Sequence, residues 1–374
     1  MNLIQTIIRR IITLLTLIIL PSTHTNTLKN ISKISILFIL TQTIYLHVKR
    51  IQINKLIIII LTNNTQTNNT LINIKGLCID NTSTPLLILT TILILTCILM
   101  REKNIYHTHK TLLICLFRTI LTLFLTFTTS NIIFFYIMFE RSIIPLIIII
   151  GLWGSRKEKI RATYYFLLYT ITGSIPLFLR ILTLYTHTGT FNNITLTNTH
   201  TPLHIQLQLF IGLFLAFAIK TPLIPWHRWL PLAHVEAPGI GSVLLAGILL
   251  KLGTYGFIRF TIPILPDTRK FISPLIITIR IIRMWLARIN RLRQNDIKRI
   301  IAYSSIAHMG IITAACFSTN PIRTKGAIIL MISHGLTRAA LFALVSFLYE
   351  RHKSRLIKNF QGRRFTHQFY QDYY

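Results

Sequence analysis

Acidic residues, cysteines and nucleotide-binding glycine motifs are scarce or missing in this sequence. Its 374 residues include only 9 Asp and Glu, against 40 Lys and Arg. The four cysteines lie far apart and form no C-x-x-C pair, which excludes a disulfide framework and an iron–sulfur site. The absence of a G-x-G-x-x-G motif excludes a dinucleotide-binding loop of that kind. A redox enzyme that carries its own cofactor is therefore not indicated.

Apolar residues dominate the composition. They make up 52% of the chain, and the mean hydropathy of +0.58 is typical of a polytopic membrane protein. The formal net charge of +31 would suggest a nucleic-acid partner in a soluble protein. Here, however, the basic residues punctuate apolar runs instead of lining one soluble face. We therefore predict one membrane domain and no nucleic-acid partner.

The hydrophobic runs predict an all-α bundle of about eleven transmembrane helices. The first run, MNLIQTIIRRIITLLTLIIL, lacks a small-residue cleavage site and is expected to be retained. The predicted helix centres are Thr13, Ile39, Leu93, Leu121, Glu140, Leu168, Leu213, Leu249, Ile279, Ile311 and Leu341.

The charges of the loops predict the orientation of these helices. Alternate loops are basic, namely REKNIYHTHK, WGSRKEKIR, RINRLRQNDIKR and YERHKSR, whereas the opposite loop THTGTFNNITLTNTH has no Lys or Arg. The positive-inside rule places the basic loops on the cytoplasmic or matrix side. The basic segments PDTRK and TNPIRTK run against this pattern.

Two lysines lie in apolar runs on either side of a proline-rich connector. Lys220 ends the run LFIGLFLAFAI, and Pro222 and Pro225 follow it, so the helix cannot continue through this point. A new helix can begin at Pro238, and Lys251 lies about 20 Å further along it. A lysine at membrane depth costs several kcal/mol unless a partner, a cavity or deprotonation relieves it. We therefore predict a functional site around both lysines, with snorkelling to an interface as the alternative.

Other ionisable residues fall within predicted membrane helices. Glu140 lies inside NIIFFYIMFERSIIPLIIII, and a lysine facing it in a low dielectric would make a pair whose proton occupancy depends on neighbouring charges. His308 and His334 lie in the last two predicted helices, either as buried, hydrogen-bonded histidines or as relay groups. A metal site in the connector is a further alternative, but no recognised ligand spacing is found there (His227, His234 and Glu236).

Four segments resemble a known family. In chain order they are IMFERSIIPLIIIIGLWGSRKEKIRATYYFLLYTITGSIPL, KTPLIPWHRWLPLAHVEAPGIGSVLLAGILLKLGTYG, LRQNDIKRIIAYSSIAHMG and ILMISHGLTRAALFALVSFLYERHKSR. They resemble the subunit 4 family of NADH dehydrogenase, which are antiporter-like proton-pumping subunits of mitochondrial respiratory complex I. The similarity is dense from about Asp80 to Gln361 and weak before that.

The resemblance implies an antiporter-like fold with discontinuous helices and inverted repeats of five helices each. The first repeat would begin at the fourth predicted helix and the second at the ninth. Four segments are expected on this basis: N-terminal helices in 1–110, a first repeat in 111–260, a partial second repeat in 261–350 and a polar tail in 351–374.

The resemblance also implies roles for individual residues. Glu140 would pair with Lys220 of the broken helix, and Lys251 would link two half-channels. His308 and His334 would lie on the central hydrophilic axis. The chain itself would hold no metal and no cofactor, because NADH, FMN, the iron–sulfur clusters and ubiquinone would be bound by other subunits.

The expected setting is the mitochondrial inner membrane, with mitochondrial encoding of this multi-pass chain. Expected partners are other membrane-arm subunits, including antiporter-like neighbours, and phospholipids such as cardiolipin. The family has three further helices after the last motif, so a separate polypeptide supplying them is one alternative. A stand-alone cation/proton antiporter and a non-pumping structural remnant are the other readings of the chain.

Arginines stand in or beside predicted helices where the family is mostly neutral. Buried unpaired arginine is costly, so we expect acidic partners, lipid phosphates or snorkelling at these positions. Codon reassignment that was misread in translation is an alternative explanation. The positions are Arg118, Arg180, Arg280, Arg283 and Arg338.

Overall fold

The computed structural model describes residues 3–21, 25–61, 72–74, 77–100, 108–199 and 201–360. Helices dominate these residues, as expected for an all-α membrane protein. Most of the predicted polar tail, residues 361–374, and part of the first basic loop, residues 101–107, lie outside the described residues.

The N-terminal part consists of three helices and a short hairpin. The helices are α1 (Leu3–Ile19), α2 (Thr25–Leu61) and α3 (Ser83–Leu99). α2 packs against both α1 and α3, and all three pack against the following helix. The strands β1 (Ile72–Ile74) and β2 (Leu77–Ile79) are antiparallel and precede α3. Most of α3 is buried, because it packs on the central part of the bundle.

Four helices and a short helical turn form the next unit. They are α4 (His109–Thr128), α5 (Ile132–Arg141), α6 (Ile143–Trp153), α7 (Lys159–Thr188) and α8 (Asn193–Asn198). The Asn131 side chain caps α5 by accepting a hydrogen bond from the Ile133 N–H at 3.1 Å. The helices α5 and α6 are interrupted only at Ser142, so together they form one membrane span. Glu140 therefore lies at the end of α5, beside a break, and not in the middle of a continuous helix.

The central part contains the broken helix and the most buried span. The helices α9 (Leu203–Lys220) and α10 (Trp229–Glu236) are separated by a turn. The central span, residues 239–264, consists of α11 (Gly239–Leu244), a π segment (Leu245–Leu249), α12 (Leu250–Gly256), a second π segment (Phe257–Thr261) and α13 (Ile262–Ile264). Its most hydrophobic stretch is buried throughout, so the core of the protein surrounds it.

Three long helices complete the described chain. They are α14 (Pro266–Leu292), α15 (Ile297–Phe317) and α16 (Pro321–His352), and a 3₁₀ turn (Ile357–Phe360) follows. Every predicted helix centre falls within a helix. Among the described residues, 8 spans are long and apolar enough to cross a membrane. The remaining three predicted helices correspond to the 17-residue helices α1 and α3 and to α14, whose many basic residues lower its hydropathy.

Three of the predicted basic loops meet at the end of α10. The Ser155 N–H donates to the Glu236 carbonyl at 3.2 Å, and the Ile297 N–H donates to the Arg355 carbonyl at 3.1 Å. The Arg355 guanidinium in turn donates to the Val235 carbonyl and to the Ser155 hydroxyl. These loops therefore lie on one face of the bundle, which we call the basic-loop face.

An ion pair joins the N-terminal part to the central span. Asp80, between β2 and α3, pairs with Arg259 of the second π segment, and Arg50 of α2 also faces it. Burial raises the pKa of Asp80, and the charges of Arg259 and Arg50 oppose that rise. The pair fixes the end of the central span to the start of α3.

We expect Asp80→Asn to destabilise the protein, because it leaves the Arg259 guanidinium without its counter-charge. Removing one partner of a buried pair costs about 3–5 kcal/mol. The lower end applies here, since the Arg259 and Asp80 side chains are 13% and 11% exposed. Thermal unfolding in detergent measures the loss. If the broken ion pair causes the loss, the double variant with Asp80→Asn and Arg259→Met should lose less stability than the sum of the two single losses. A double-variant loss equal to that sum would contradict this explanation.

Candidate functional site

The break after α9 is held by side chains and backbone groups from several parts of the chain. α9 ends at Lys220, and Pro222 and Pro225 lie in the turn that follows. The Ala218 carbonyl accepts from the Leu223 N–H at 2.8 Å, and the Ile219 carbonyl accepts from the Trp229 indole at 3.0 Å. These bonds satisfy carbonyls that an unbroken helix would satisfy itself, so the break is stable inside the protein.

Lys220 and Glu140 face each other at two helix ends. The Lys220 Nζ lies 3.4 Å from the Glu140 Oε1, and the two side chains are 2% and 23% exposed. The Lys220 Nζ also donates to the Phe139 carbonyl at 2.9 Å and lies over the Phe139 ring. Ser142 donates to the same carbonyl at 2.7 Å. The site therefore combines a buried cation, a carboxylate and a hydroxyl at the point where both helices are interrupted.

Lys251 occupies the middle of the central span and is fully buried. Its Nζ donates to the Ala246 carbonyl of the first π segment at 2.5 Å. It also lies 3.0 Å from the Nδ1 of His334 on α16. If Lys251 is an ammonium, His334 Nδ1 must be the acceptor, so the His334 proton would be on Nε2. Pro238 directly precedes α11, the first helix of this span.

His308 extends this group toward the surface of α15. Its ring centroid lies 6.0 Å from that of His334. Of the two alternatives for His308, the buried histidine is wrong, since the side chain is exposed. Nearby, Arg338 donates to the Ser304 hydroxyl at 2.7 Å.

The predicted site residues therefore fall into two groups. One is the Glu140–Lys220 pair, and the other runs from Lys251 through His334 to His308. Among the described residues, no hydrogen bond or ion pair joins Lys220 directly to Lys251. A cavity of about 10 Å³, the space for the centre of one water molecule, lies between α4, α6 and the central span. It is lined by the hydroxyl residues Thr119 and Ser142 and by Leu123, Leu146, Leu244, Ile248, Leu249 and Leu252.

The two groups are held together by close packing of α12 on the end of α9. A Cβ added at Gly253 would lie 2.6 Å from the Thr221 Cγ2 and 2.8 Å from the Phe217 carbonyl oxygen. Only glycine allows this approach, because real Cβ atoms do not come so close to backbone. Gly253 therefore sets the distance between the lysine-bearing elements.

We expect Gly253→Ala to push α12 away from the end of α9 and to cost about 1–3 kcal/mol of stability. Thermal unfolding of the purified protein in detergent measures this. Gly326→Ala in α16 is the matched control, since nothing lies within 4 Å of its added Cβ. Equal stability of the two variants would contradict the close-packing argument.

Two arginines near the site are buried without acidic partners. Arg280 and Arg283 of α14 are 1% and 0% exposed. Arg283 donates to the Thr221 carbonyl at 3.0 Å and thereby caps the broken helix. None of the Arg280 guanidinium nitrogens has a hydrogen-bond partner among the described residues. Of the alternatives expected at these positions, acidic partners are absent for both arginines within the described part of the chain.

Sequence reasoning missed several buried cations, and Lys298 is one of them. Lys298 of α15 is 2% exposed and donates to the Ala237 carbonyl at 2.8 Å. The sequence placed it in the basic loop RINRLRQNDIKR, although its position just inside the following apolar run was a signal for burial. As for the metal alternative, the described residues contain no cluster of three or more His, Cys, Asp or Glu that could hold a metal ion.

The helices and the site define a polytopic membrane protein of the antiporter-like class, with a lysine–carboxylate pair at a broken helix. Residues 129–368 match the family described as NADH:quinone oxidoreductase/Mrp antiporter, TM. The chain belongs to this family.

Curated relatives agree with this assignment. The chain is 45% identical over 290 residues to the NADH-ubiquinone oxidoreductase chain 4 of Metridium senile, with 78% of this chain and 59% of the relative covered. It is 48% identical over 288 residues to the protein of that name from Prototheca wickerhamii, with 77% and 55% covered. The chain thus spans somewhat more than half the length of these relatives.

Solved structures share the fold. A chain of respiratory complex I from Thermus thermophilus superposes with a TM-score of 0.77 at 24% identity, covering 94% of this chain and 72% of that chain. A chain of an archaeal membrane-bound sulfane sulfur reductase gives a TM-score of 0.78 at 17% identity, covering 96% and 73%. At these identities the superpositions establish the antiporter-like fold alone.

Proposed function

We propose that this chain is a proton-translocating membrane-arm subunit of NADH:ubiquinone oxidoreductase, respiratory complex I. The observation that carries the proposal is the Glu140–Lys220 pair at two interrupted helix ends. A buried Lys–Glu pair in a low dielectric shares its protons as a unit, so a change of charge nearby alters its proton occupancy. The names of the curated relatives support the assignment to complex I.

In this proposal protons move through two groups in turn. Glu140 and Lys220 exchange a proton with the aqueous phase and with each other, and Lys251 receives it in the middle of the membrane. His334 accepts at the Nδ1 that lies 3.0 Å from the Lys251 Nζ. His308 then carries the proton to the exposed face of α15.

The energy for this movement would come from quinone reduction elsewhere in the complex. We propose that NADH, FMN, the iron–sulfur clusters and ubiquinone are bound by other subunits, so this chain does no redox chemistry. Its partners would be other membrane-arm subunits, phospholipids such as cardiolipin and, as one alternative, a polypeptide supplying further helices. The setting would be the mitochondrial inner membrane, with the basic-loop face toward the matrix.

The division of the chain follows the same proposal. Residues 111–260 would form the first antiporter-like repeat, with both lysines, and residues 261–350 would belong to the second. Residues 1–110 would precede the repeats, and residues 351–374 would follow them.

Purification and reconstitution test the proposal. The membrane complex that contains this chain is isolated, its subunits are identified by intact-mass and peptide mass spectrometry, and it is placed in sealed vesicles. We expect other complex I subunits in the preparation and proton transport that requires NADH and a quinone. Cation/proton exchange without NADH would instead support the stand-alone antiporter. Normal coupled transport after loss of Lys220 would support the non-pumping remnant.

A further inference from the structure

Arg338 of α16 lies beside the group that runs from Lys251 through His334 to His308. It follows His334 by four residues on the same helix, so the two side chains lie on one face of α16, one turn apart. The Arg338 guanidinium donates to the Ser304 hydroxyl of α15 at 2.7 Å. Ser304 in turn precedes His308 by four residues on α15. A contact between the two helices therefore holds the arginine next to both histidines.

The three groups of this relay are close enough to share the field of one cation. The Lys251 Nζ lies 3.0 Å from the His334 Nδ1, and the ring centroids of His334 and His308 are 6.0 Å apart. Residues four apart on a helix have Cβ atoms about 5–6 Å apart. In agreement with this geometry, Arg338 interacts electrostatically with Lys251 and with both histidines.

The charge of Arg338 has no acidic partner within the described ranges. The residue takes part in none of the ion pairs found there, and its Nε has no hydrogen-bond partner in that part of the chain. The remaining ionisable groups that face Lys251 and the two histidines are His234, Arg288 and Arg291. Arg288 and Arg291 are exposed, whereas Arg338 is half-buried, so Arg338 is the least screened of the three arginines.

We propose that Arg338 is a positioning residue that prevents His334 and His308 from retaining protons during transport. It acts through its fixed positive charge and carries no proton itself. The inference rests on the proposed function, because it concerns the second half of the same relay.

The charge acts at the step in which His334 becomes an imidazolium. The Lys251 ammonium gives a proton to the His334 Nδ1, and the proton on Nε2 then leaves toward His308, directly or through one bridging water. While both ring nitrogens are protonated, the ring and the guanidinium are like charges one helical turn apart, which favours rapid loss of the second proton. The same repulsion favours release from His308. Arg338 keeps its charge throughout, because an arginine does not release its proton in a protein.

The test measures coupled NADH:quinone turnover and proton transport as functions of pH, on the intact complex in sealed vesicles. Arg338→Gln keeps a donor for the Ser304 hydroxyl and removes the charge. Both histidines should then hold their protons more tightly, so turnover falls at acidic pH and the acidic limb of the profile moves upward by about one pH unit or more. Arg338→Lys is charged throughout the acidic range, so we expect it to keep the original profile.

Arg323→Gln is the matched control. Arg323 is exposed on the same helix and lies about 22 Å from Arg338 along its axis, so we expect no shift of the profile. An unshifted profile in Arg338→Gln would overturn the inference. An equal shift in Arg338→Lys would overturn it as well, because the cause would then be the lost guanidinium geometry and not the charge. The same conclusion would follow from an equal shift in Arg323→Gln.

Lys220→Ala, measured in parallel, separates this inference from the proposed function. If Lys220→Ala stops transport while Arg338→Gln leaves the pH profile unchanged, the role of Arg338 is refuted and the proposed function stands. If Lys220→Ala leaves transport intact, the proposed function fails and the inference fails with it. Native gels report the amount of assembled complex. Should Arg338→Gln not assemble, Arg338→Met replaces it, since it also removes the charge and has an apolar side chain.

Discussion

Lys220→Ala is expected to abolish proton-coupled turnover while the complex still assembles. The substitution removes the Nζ that lies between the Glu140 carboxylate and the Phe139 carbonyl. A positioned acid–base group contributes about 10²–10⁴-fold to proton transfer, so we expect a loss of that order in the transport rate. Assembly should survive, because the carbonyls at the break are satisfied by Leu223 and the Trp229 indole.

Glu140→Gln provides the complementary test of the pair. It preserves the shape of the side chain and removes its charge, so we expect a loss of coupled turnover similar to that of Lys220→Ala. The double variant should be little worse than either single one, since the two residues act as a unit. Lys157→Ala, at an exposed loop position, is the control. Full coupled turnover in Lys220→Ala would rule out an essential role for this pair.

Lys251→Arg is expected to stop proton transfer between the two groups even though it preserves the positive charge. An arginine does not release its proton in a protein, so it cannot pass one to His334. We expect a fall of about 10²-fold or more in transport, with quinone reduction slowed in parallel if the complex is tightly coupled. The measurement is proton transport in sealed vesicles with the assembled complex quantified on native gels.

Packing is the main complication for Lys251, because the residue is fully buried. Lys251→Met has a similar length and no charge, so it tests whether a loss arises from the missing proton or from a larger side chain. We expect both variants to be inactive. Normal transport in Lys251→Arg would mean that a fixed charge is sufficient at this position, and the relay through Lys251 would then be wrong.

The sequence predicted the elements of the site better than their contacts. Pro222 and Pro225 after an apolar run predict a broken helix from backbone chemistry alone. The pairing of Glu140 with Lys220 came from the family resemblance, since 80 residues separate the two in the chain. The groups that donate hydrogen bonds to the backbone carbonyls at the end of α9 could not be predicted from the sequence. Trp229 and Arg283 supply them from other elements, and that depends on how the helices pack.

Burial was also difficult to predict near the helix ends. Lys298 was assigned to a loop but is buried, and His308, for which a buried histidine was one of two alternatives, is exposed. The local pattern gave the helix of His308 correctly, whereas Lys298 lies in the first turn of α15 and not in the loop. The neighbours of a given helix face are set by tertiary packing, which periodicity in one segment does not contain.

The two π segments of the central span determine where its charges point. Each residue of an α-helix turns the side-chain direction by about 100°, so each extra residue held in a π turn rotates everything beyond it by that amount. The first π segment sets the azimuth of Lys251 relative to α11, and the second sets that of Arg259. Lys251 therefore points toward His334 and Arg259 toward Asp80 because the π segments change the helical phase, and no loop is needed between them.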